Sequence, residues 1–487
     1  MKIKGLAIGL LLVLTLVGGY FYAQNKAQSY AEDAALNIKN IIEKADENLL
    51  FTYESAEGNA LSQSATLKKV KLKDRYSPGF LNINEIEIKG NEKEISYIRF
   101  VDIEFQDQSE RVSIREFQGE NIQIEDLKML KNLMESNRPE NLIGIIGRLN
   151  TGAFSIKDFS LEETIKNAGT DDEIKIGELK IEEIKNGRIT KIYWNDIEVK
   201  SSNEELEALN IENLSIEGLD LFYLTSEDSM EKGAAAGFGI SSFELNKLNV
   251  VSNNMREPIT LNRLKVELSD FLGELPRSNE MTLDNLIIPL APFEAAGILP
   301  RGSMKKITDR NDLNLSMKAN LDLDTKKREL KNFFEIDVKG LGKIEQKASL
   351  SNVNTKALRK LMENPNDEAA LISVYFDSAF KSFSLTYDDE GLANHLFDLL
   401  LENFGDIYRM ENRDDLAALA ELQIRQMLGD QGQLAGDASS ALNRFIKKSN
   451  HFSVKIEAIK PLLFTELAGL YASGDLLSSM KINIEGR

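Results

Sequence analysis

One pattern of apolar and polar positions recurs along the middle of the chain, between Leu81 and Leu290, where apolar residues are spaced two, three and two positions apart. The pattern predicts a repeated strand unit, too irregular in its intervals for a strict solenoid. Seven segments carry it in full: LNINEIEI, FSIKDFSL, IKIGELKI, LNIENLSI, FELNKLNV, ITLNRLKV and MTLDNLII, starting at Leu81, Phe154, Ile174, Leu209, Phe243, Ile259 and Met281.

The spacing within this unit predicts a half-covered antiparallel sheet. A spacing of two places side chains on one face of a strand, whereas a step of three would reverse the face. A β-bulge at the polar residues between the pairs, such as Asn84 and Glu85, would restore the face. Two short strands joined by a tight turn are the alternative. Either arrangement gives one apolar face and one face that carries Lys, Glu and Asn.

Three segments interrupt the repeated strand unit, and the last third of the chain mixes strand and helix patterns. A short helix is expected at Glu125–Ser136, a flexible stretch at Glu231–Gly239 and a short helix or turn at Ala291–Gly302. Later strands are predicted at 313–323, 333–350 (with a turn at 340–342), 370–387, 452–459 and 480–484. Helices are predicted at 356–364, 390–408, 414–428, 438–448 and 461–471, with a polar turn at 429–437. These elements predict an α+β module.

The first residues of the chain resemble an exported protein. Gly5–Ala23 is an uncharged run of 19 residues, long enough for a bilayer core, and it follows Lys2 and Lys4. The lysines predict a cytoplasmic N-terminus and a single-pass signal anchor. A cleaved signal peptide with a site at Ser29–Ala31 is the alternative. Helical spacing over Ala31–Leu50 fits either a stalk that continues the anchor or an ordinary first helix packed on the core.

Composition narrows the function classes. The 487 residues are 42% hydrophobic and 28% charged, as in globular proteins, and Lys+Arg total 59 against 78 Asp+Glu, a net charge of −19. This charge argues against nucleic acid as a partner and against binding to anionic headgroups. The absence of cysteine excludes disulfides, thiolate nucleophiles and thiolate zinc sites.

Neither motifs nor clusters indicate catalysis. The sequence has no G-x-S-x-G elbow and no phosphate-binding Walker loop, and its two histidines, His395 and His451, leave little room for a triad or a metal site. Of the acidic clusters, Asp322 and Asp324 have the spacing that begins a Ca²⁺ loop, but the later oxygen ligands are missing and Lys326, Lys327 and Arg328 follow. We therefore predict no enzyme activity, no cofactor, no metal and no catalytic residue.

The apolar face of the repeats remains as the candidate binding surface. It is either an ordinary sheet core covered by helices or a partly open groove for acyl chains, which would need a lipid or protein partner. Its predicted lining consists of Ile83, Ile86, Ile156, Phe159, Ile176, Leu179, Ile211, Leu214, Leu245, Leu248, Leu261 and Leu264.

The lysine-flanked N-terminal run and the repeated unit of the Leu209–Ile216 type together resemble the AsmA-like envelope proteins and similar inner-membrane-anchored β-rich proteins. The resemblance covers the anchor and residues 81–290 and lies in the pattern, not in a motif. It implies a β-groove and a role in phospholipid transport or outer-membrane homeostasis. The chain departs from that family in its short length and its helix-rich end, so its groove would load or hand over lipid and not bridge two membranes.

The resulting prediction is an α+β protein with a transmembrane helix, a curved antiparallel β-rich body and a C-terminal α+β module. Its predicted domains are an anchor at 1–30, a helical stalk and linker at 31–80, a repetitive β-rich domain at 81–310 and an α+β domain at 311–487. Its predicted function is non-enzymatic lipid handling in the bacterial periplasm, from the inner membrane. A structural or interaction subunit with a closed core, bound to other envelope proteins, is the alternative.

Overall fold

A computed structural model describes 35, 39, 49–59, 64–75, 79–91, 93–107, 109–123, 125, 150–165, 170–201, 206–220, 239–253, 255–272, 275–295, 297, 305, 310–364, 366–408, 410–428 and 432–487. The chain separates into two compact units. The first comprises Met1–Glu231 and Phe238–Asn253, and the second comprises Lys232–Gly237 and Asn254–Arg487.

The first unit is an antiparallel meander in which long strands follow one another, with short strands at its edges. Its strands are β1 Leu49–Thr52, β2 Ser55–Asn59, β3 Ser64–Asp74, β4 Phe80–Gly90, β5 Glu94–Gln106, β6 Glu110–Gln123, β7 Asn150–Thr151, β8 Phe154–Ile165, β9 Thr170–Ile181, β10 Ile184–Lys185, β11 Arg188–Lys200, β12 Ala208–Asp220 and β13 Ser242–Val251.

The second unit is also an antiparallel meander, and its helices lie between the later strands. Its strands are β14 Ile259–Leu272, β15 Leu275–Pro289, β16 Asp312–Asp324, β17 Glu329–Val338, β18 Gly342–Ser351, β19 Ala379–Asp389, β20 His451–Leu463 and β21 Met480–Gly486. Its helices are α1 Ala291–Ala295, α2 Thr355–Glu363, α3 Glu368–Asp377, α4 Leu392–Tyr408, α5 Arg413–Leu428, α6 Gly432–Lys448 and α7 Phe464–Ser473.

The predicted fold class is wrong. Of the described residues, 59% lie in strands and 25% in helices, so the protein is mostly antiparallel sheet and not α+β. Strands β16–β21 of the expected α+β module continue the meander that begins at β14. The α+β reading arose because the amphipathic helices were counted as equal partners of the strands. The helices instead lie in the connections between successive strands of one meander.

The predicted anchor finds no support. No helix among the described residues is long and apolar enough to cross a membrane. The segment Gly5–Ala23 itself lies outside the described residues. Of the helix predicted at Ala31–Leu50, Ala35 and Lys39 are helical and Leu49 already belongs to β1. Ala35 is fully buried in the core cluster of the first unit, as in an ordinary packed helix.

Three local predictions in the C-terminal region are also wrong. The segment 370–387 was expected to be one strand, but its first part is α3, which begins where the Asp367 side chain caps the Ala370 amide. The polar turn expected at 429–437 is largely the first part of α6. Pro461 lies inside the long strand β20, which ends at Leu463, and α7 begins only at Phe464. For α3, apolar spacing alone did not distinguish a short helix from a strand.

A line of skipped residues crosses the long strands at the step of three in the repeat. Between β3 and β4, Lys68 pairs with Glu85 and Val70 with Ile83, which leaves Lys69 opposite Asn84 without a ladder pair. The same one-residue skip recurs at every long-strand pair of the first unit. The strands remain continuous through the skip, so the alternative of two short strands joined by a turn is wrong. In the second unit, β15 has two residues opposite one residue of β16 at the corresponding place, which is a β-bulge.

Alternate strands place a left-handed residue at this line. We call these six residues the kink residues, and their φ angles lie between 48° and 53°. Four of them are Asp or Asn, which tolerate this region of φ/ψ space better than other residues with a Cβ. The kink residues are Lys69, Asp102, Asp158, Asp196, Lys247 and Asn285.

The skip keeps the apolar residues on one face. In β4, Ile83 and Ile86 are both only 2% exposed although three positions separate them, and Asn84 between them is exposed. In β5, Phe100 and Ile103 are likewise buried on either side of the kink residue Asp102. The core of the first unit is therefore a continuous apolar face across β3–β6, closed by Ala35 and by Phe51 of β1.

Replacement of a kink residue by a β-branched residue should destabilise the protein. We expect Asp196→Val to lower the free energy of unfolding by roughly 1–3 kcal/mol, because valine is strained at a φ of 53°. Asp196→Gly should leave it nearly unchanged. Denaturant unfolding followed by circular dichroism measures both. The control is Glu198→Val in the same strand, also at an exposed position. If Asp196→Val is as stable as Glu198→Val, the kink carries no backbone constraint.

Helix α6 lies against β21 so closely that one glycine is required there. A Cβ atom at Gly486 would overlap the carbonyl oxygen of Ala441. We expect Gly486→Ala to lower stability by about 1–3 kcal/mol, as in other overpacked interiors. Gly469→Ala in α7 is the control, because its Cβ would meet no atom within 4 Å and alanine favours a helix. Thermal unfolding should separate the two variants. Equal melting temperatures would contradict the close approach.

Candidate apolar binding surface

The apolar face of the first unit changes character along the sheet. Each long strand contributes four positions to it, and these align across the strands in four rows. In one row, Ile103 of β5 pairs with Ile114 of β6, which pairs with Phe159 of β8 and then Ile176 of β9. On β4–β6 nearly all of these side chains are buried, whereas on β8–β13 nearly all are only half-buried.

We call the half-buried part the open face. Side chains in the middle of a sheet are shielded by neighbouring strands even when nothing covers them. Half-burial there therefore means that the residues the structure describes form no complete layer over this face. The open face comprises Phe154, Ile156, Phe159, Leu161, Ile174, Ile176, Leu179, Ile181, Trp194, Ile197, Val199, Leu209, Ile211, Leu214, Ile216, Phe243, Leu245, Leu248 and Val250.

The predicted lining residues fall into three groups. Ile83, Ile86 and Leu261 are buried, with exposed fractions of 2%, 2% and 5%, and offer no accessible surface. Leu264 is half-buried but belongs to the second unit. The structure brings the other eight together on the open face: Ile156, Phe159, Ile176, Leu179, Ile211, Leu214, Leu245 and Leu248.

Sequence analysis missed the contribution of β11. Ile192, Trp194, Ile197 and Val199 have the same two, three and two spacing as the recognised repeats. Trp194 pairs with Leu179 on one side and with Leu214 on the other, so it lies in the middle of the open face. The segment IYWNDIEV therefore carried the signal of a further repeat.

The opposite face of the same strands is polar and internally bonded. Asn246 donates to Asn213 at 3.4 Å, Asn213 donates to Asn195 at 2.7 Å, and Asn195 donates to Glu178 at 3.4 Å. This ladder of amides links four strands, β13, β12, β11 and β9. It satisfies half-buried polar groups on one side of the sheet, so the polar and apolar faces stay separate through the whole width of the open face.

A charge cluster marks the place where the covered face meets the open face. Glu116 of β6 accepts from Lys157 of β8 at 2.8 Å and from Arg99 of β5 at 2.7 Å. These hydrogen bonds, first that from Lys157 and then that from Arg99, hold the pKa of the Glu116 carboxyl below its usual value. The carboxylate thus joins β5, β6 and β8 from the polar side.

A cleft of about 550 Å³ lies on the polar face of β3–β8, beside the kink residues Lys69, Asp102 and Asp158. Its charged walls already pair with each other. Arg115 lies 2.6 Å from Asp158, and Arg111 donates to Glu104 at 2.9 Å. A ligand in this cleft would have to displace these internal ion pairs, so it is a weaker candidate than the open face.

Neither histidine stands in a reactive arrangement. The Nδ1 atom of His451, at the start of β20, lies 2.6 Å from the Asp388 carboxylate near the end of β19. His395 lies in α4. Within the part of the chain that the structure describes, no group of three or more His, Cys, Asp or Glu could hold a metal ion.

Burial, together with the hydrogen bond from its hydroxyl to Asp389, raises the pKa of Tyr387.

Comparison with known proteins found a similarity in the C-terminal region. A family model described as "Uncharacterized protein" matches residues 335–486, which include β18–β21 and the helices α2–α7. No curated protein matches the chain. The similarity therefore covers the helix-bearing part of the second unit and does not extend to the open face.

The Glu116 cluster predicts a pH-dependent contribution to stability. Because the folded pKa of Glu116 lies below its unfolded value of about 4.3, the cluster stabilises the fold above that pH and loses its effect as the pH falls through the folded pKa. We expect Glu116→Gln to be less stable by about 1 kcal/mol at pH 7, since both cationic partners are about one-third exposed.

The difference between Glu116→Gln and the unsubstituted protein should shrink as the pH is lowered from 7 to 3, as measured by denaturant unfolding at each pH. Glu183→Gln is the matched control, because it removes the same charge from an exposed side chain and should change little at any pH. A difference for Glu116→Gln that stays constant between pH 7 and pH 3 would contradict the role of the ionised carboxylate.

Proposed function

We propose that the protein is a non-enzymatic binder of apolar chains and that the open face is its binding surface. The observation that supports this most directly is the contrast along one continuous face. The rows that form a closed core on β4–β6 continue onto β8–β13 without a complete covering layer. Large exposed apolar surfaces on proteins usually mark a binding site for a lipid or another protein.

The dimensions of the open face suit a flexible apolar chain. It spans five adjacent long strands, β8, β9, β11, β12 and β13. The four spacings between them, of about 4.8 Å each, give a width of roughly 19 Å. Its side chains are aliphatic or aromatic, with no charged residue in the four rows. Each methylene group of a ligand removed from water there would contribute about 0.8 kcal/mol. An acyl chain meets these requirements without any polar recognition group.

The resemblance to the AsmA-like proteins and a location in the bacterial cell envelope are parts of the same proposal. The apolar rows agree with the β-groove that the resemblance implies, and a lipid acyl chain is then the natural ligand. An extracytoplasmic location is supported only by the sequence of residues 1–23, which lie outside the described residues.

A structural or interaction subunit is the second candidate function. It is favoured by the second unit, where large apolar side chains of α3 and α4 are exposed, among them Leu371 at 57% and Ile407 at 70%. Exposed helix residues of this kind suit a protein partner better than an acyl chain, because a helix presents a narrow stripe and no groove. The two functions use different surfaces and are compatible.

Charge substitutions on the open face test the proposed binding of apolar chains. We expect Ile176→Asp and Ile211→Asp to fold and to lose binding of a fluorescent fatty acid by about tenfold or more. Ile83→Asp should instead unfold the protein, because Ile83 is 2% exposed in the core. Fluorescence titration measures binding, and circular dichroism measures folding.

Ser215→Asp provides the matched control, since it adds the same charge to β12 on the polar face and should leave binding unchanged. Mass spectrometry of lipid extracted from the purified protein gives an independent measurement. The proposal fails if the unsubstituted protein binds no fatty acid and carries no lipid. It also fails if Ile176→Asp and Ile211→Asp unfold as Ile83→Asp does, because the face is then a closed core.

A further inference from the structure

Helix α4 of the second unit carries an apolar stripe that the unit itself leaves exposed. The side chains of Leu396, Leu400, Phe404 and Ile407 are 48%, 40%, 44% and 70% exposed, and that of Leu399 is 37% exposed. Their spacing places all five on one side of the helix. We call these five residues the α4 stripe.

The α4 stripe is separate from the face by which the helix attaches to its unit. Ala393 is only 6% exposed, and the centroid of the Phe397 ring lies 5.8 Å from that of Phe445 in α6. Arg413 of α5 donates to Asp398 at 2.7 Å and to the backbone oxygen of Asn394 at 2.9 Å. The helix is therefore already fixed by its inner face and its N-terminal half, and the stripe is not needed for that attachment.

The α4 stripe lies on a helix that has no basic residue. Helices α1, α3, α4 and α7 contain no Lys or Arg, whereas α2, α5 and α6 each contain at least two. Within the described residues, α3 and α4 are also the helices with more than two exposed large apolar side chains. In α4 the charged residues are Asp398, Glu402 and Asp406, all acidic. Asp398 is paired with Arg413 of α5, so Glu402 supplies the described negative charge beside the stripe.

We propose that the α4 stripe is the docking site for an amphipathic helix of a partner protein whose apolar face is flanked by Lys and Arg. Apolar residues of that helix would cover Leu396, Leu400, Phe404 and Ile407, and its basic residues would lie near Glu402, which is exposed. Helix recognition through residues spaced three and four apart is a common binding mode. Opposite charge at the rim accelerates association and excludes other partners.

The same charge pattern disfavours the two other occupants of such a stripe. A second copy of this chain would bring acidic side chains against acidic side chains, and a chain with a net charge of −19 is repelled by anionic headgroups. The site lies in the second unit, so it is independent of the open face and of the acyl-chain proposal.

Binding of designed peptides to the full chain tests the inference. The probe is a fluorescent helical peptide of leucine and lysine, about 18 residues or five turns long, and the comparison peptide has glutamate in place of lysine. We expect micromolar or tighter binding of the lysine peptide and at least tenfold weaker binding of the glutamate peptide by fluorescence anisotropy. Leu400→Ser with Phe404→Ser should weaken the lysine peptide about tenfold or more.

Two further variants sharpen the test. Leu422→Ser in α5 removes a leucine of similar exposure, 53%, away from the stripe and should leave binding unchanged. Glu402→Lys should weaken the lysine peptide several-fold and strengthen the glutamate peptide. Equal binding of both peptides, or an equal loss with Leu422→Ser, would overturn the inference. It would also be overturned if the stripe variants abolished binding to phosphatidylglycerol vesicles or dissociated a dimer of the chain.

Discussion

The continuity of the apolar face across the kink line is the constraint on which the first unit depends. In each long strand the alternation of apolar and polar residues shifts by one position at the step of three. Adjacent strands must make that shift at the same level, or the ladder would bring apolar residues against polar ones. The one-residue skip between neighbours and the kink residues on alternate strands, from Lys69 to Lys247, meet this requirement. In each strand, the step of three in the repeated sequence unit marks the position of the skipped residue.

Because the rows are continuous, what differs along the sheet is only what covers them. Ala35 and Phe51 close the face over β3–β6, and Glu116 joins the strands at the boundary from the polar side. Beyond that boundary the amide ladder of Asn195, Asn213 and Asn246 keeps the polar face bonded while the apolar face is half-buried. The backbone ladders hold the strands in register on both sides of the boundary, and the half-buried face is the one that we propose binds an apolar chain.

Sequence reasoning predicted the apolar face well because period-two spacing is a local signal. It identified eight residues of the open face and the irregularity between Ile83 and Ile86. It could not predict that Ile83 is core while Ile176 is half-buried, because both occupy equivalent positions in equivalent repeats and only the tertiary cover differs. It also mistook α3 for a strand, because LISVYF is equally apolar in either conformation and Asp367 decides by capping.

The acidic balance of the chain acts differently on its two apolar surfaces. The open face has its charges on the opposite side of the sheet, so an acyl chain lying on it meets no charge in the four rows. The α4 stripe has Glu402 on the same helix, so its occupant must tolerate or use a negative rim. In the two proposals, the open face would select its ligand by shape and apolarity, and the α4 stripe would also select by charge sign. A single lipid ligand does not account for both surfaces, whereas a lipid on the sheet and a basic helix on α4 account for each by its own chemistry.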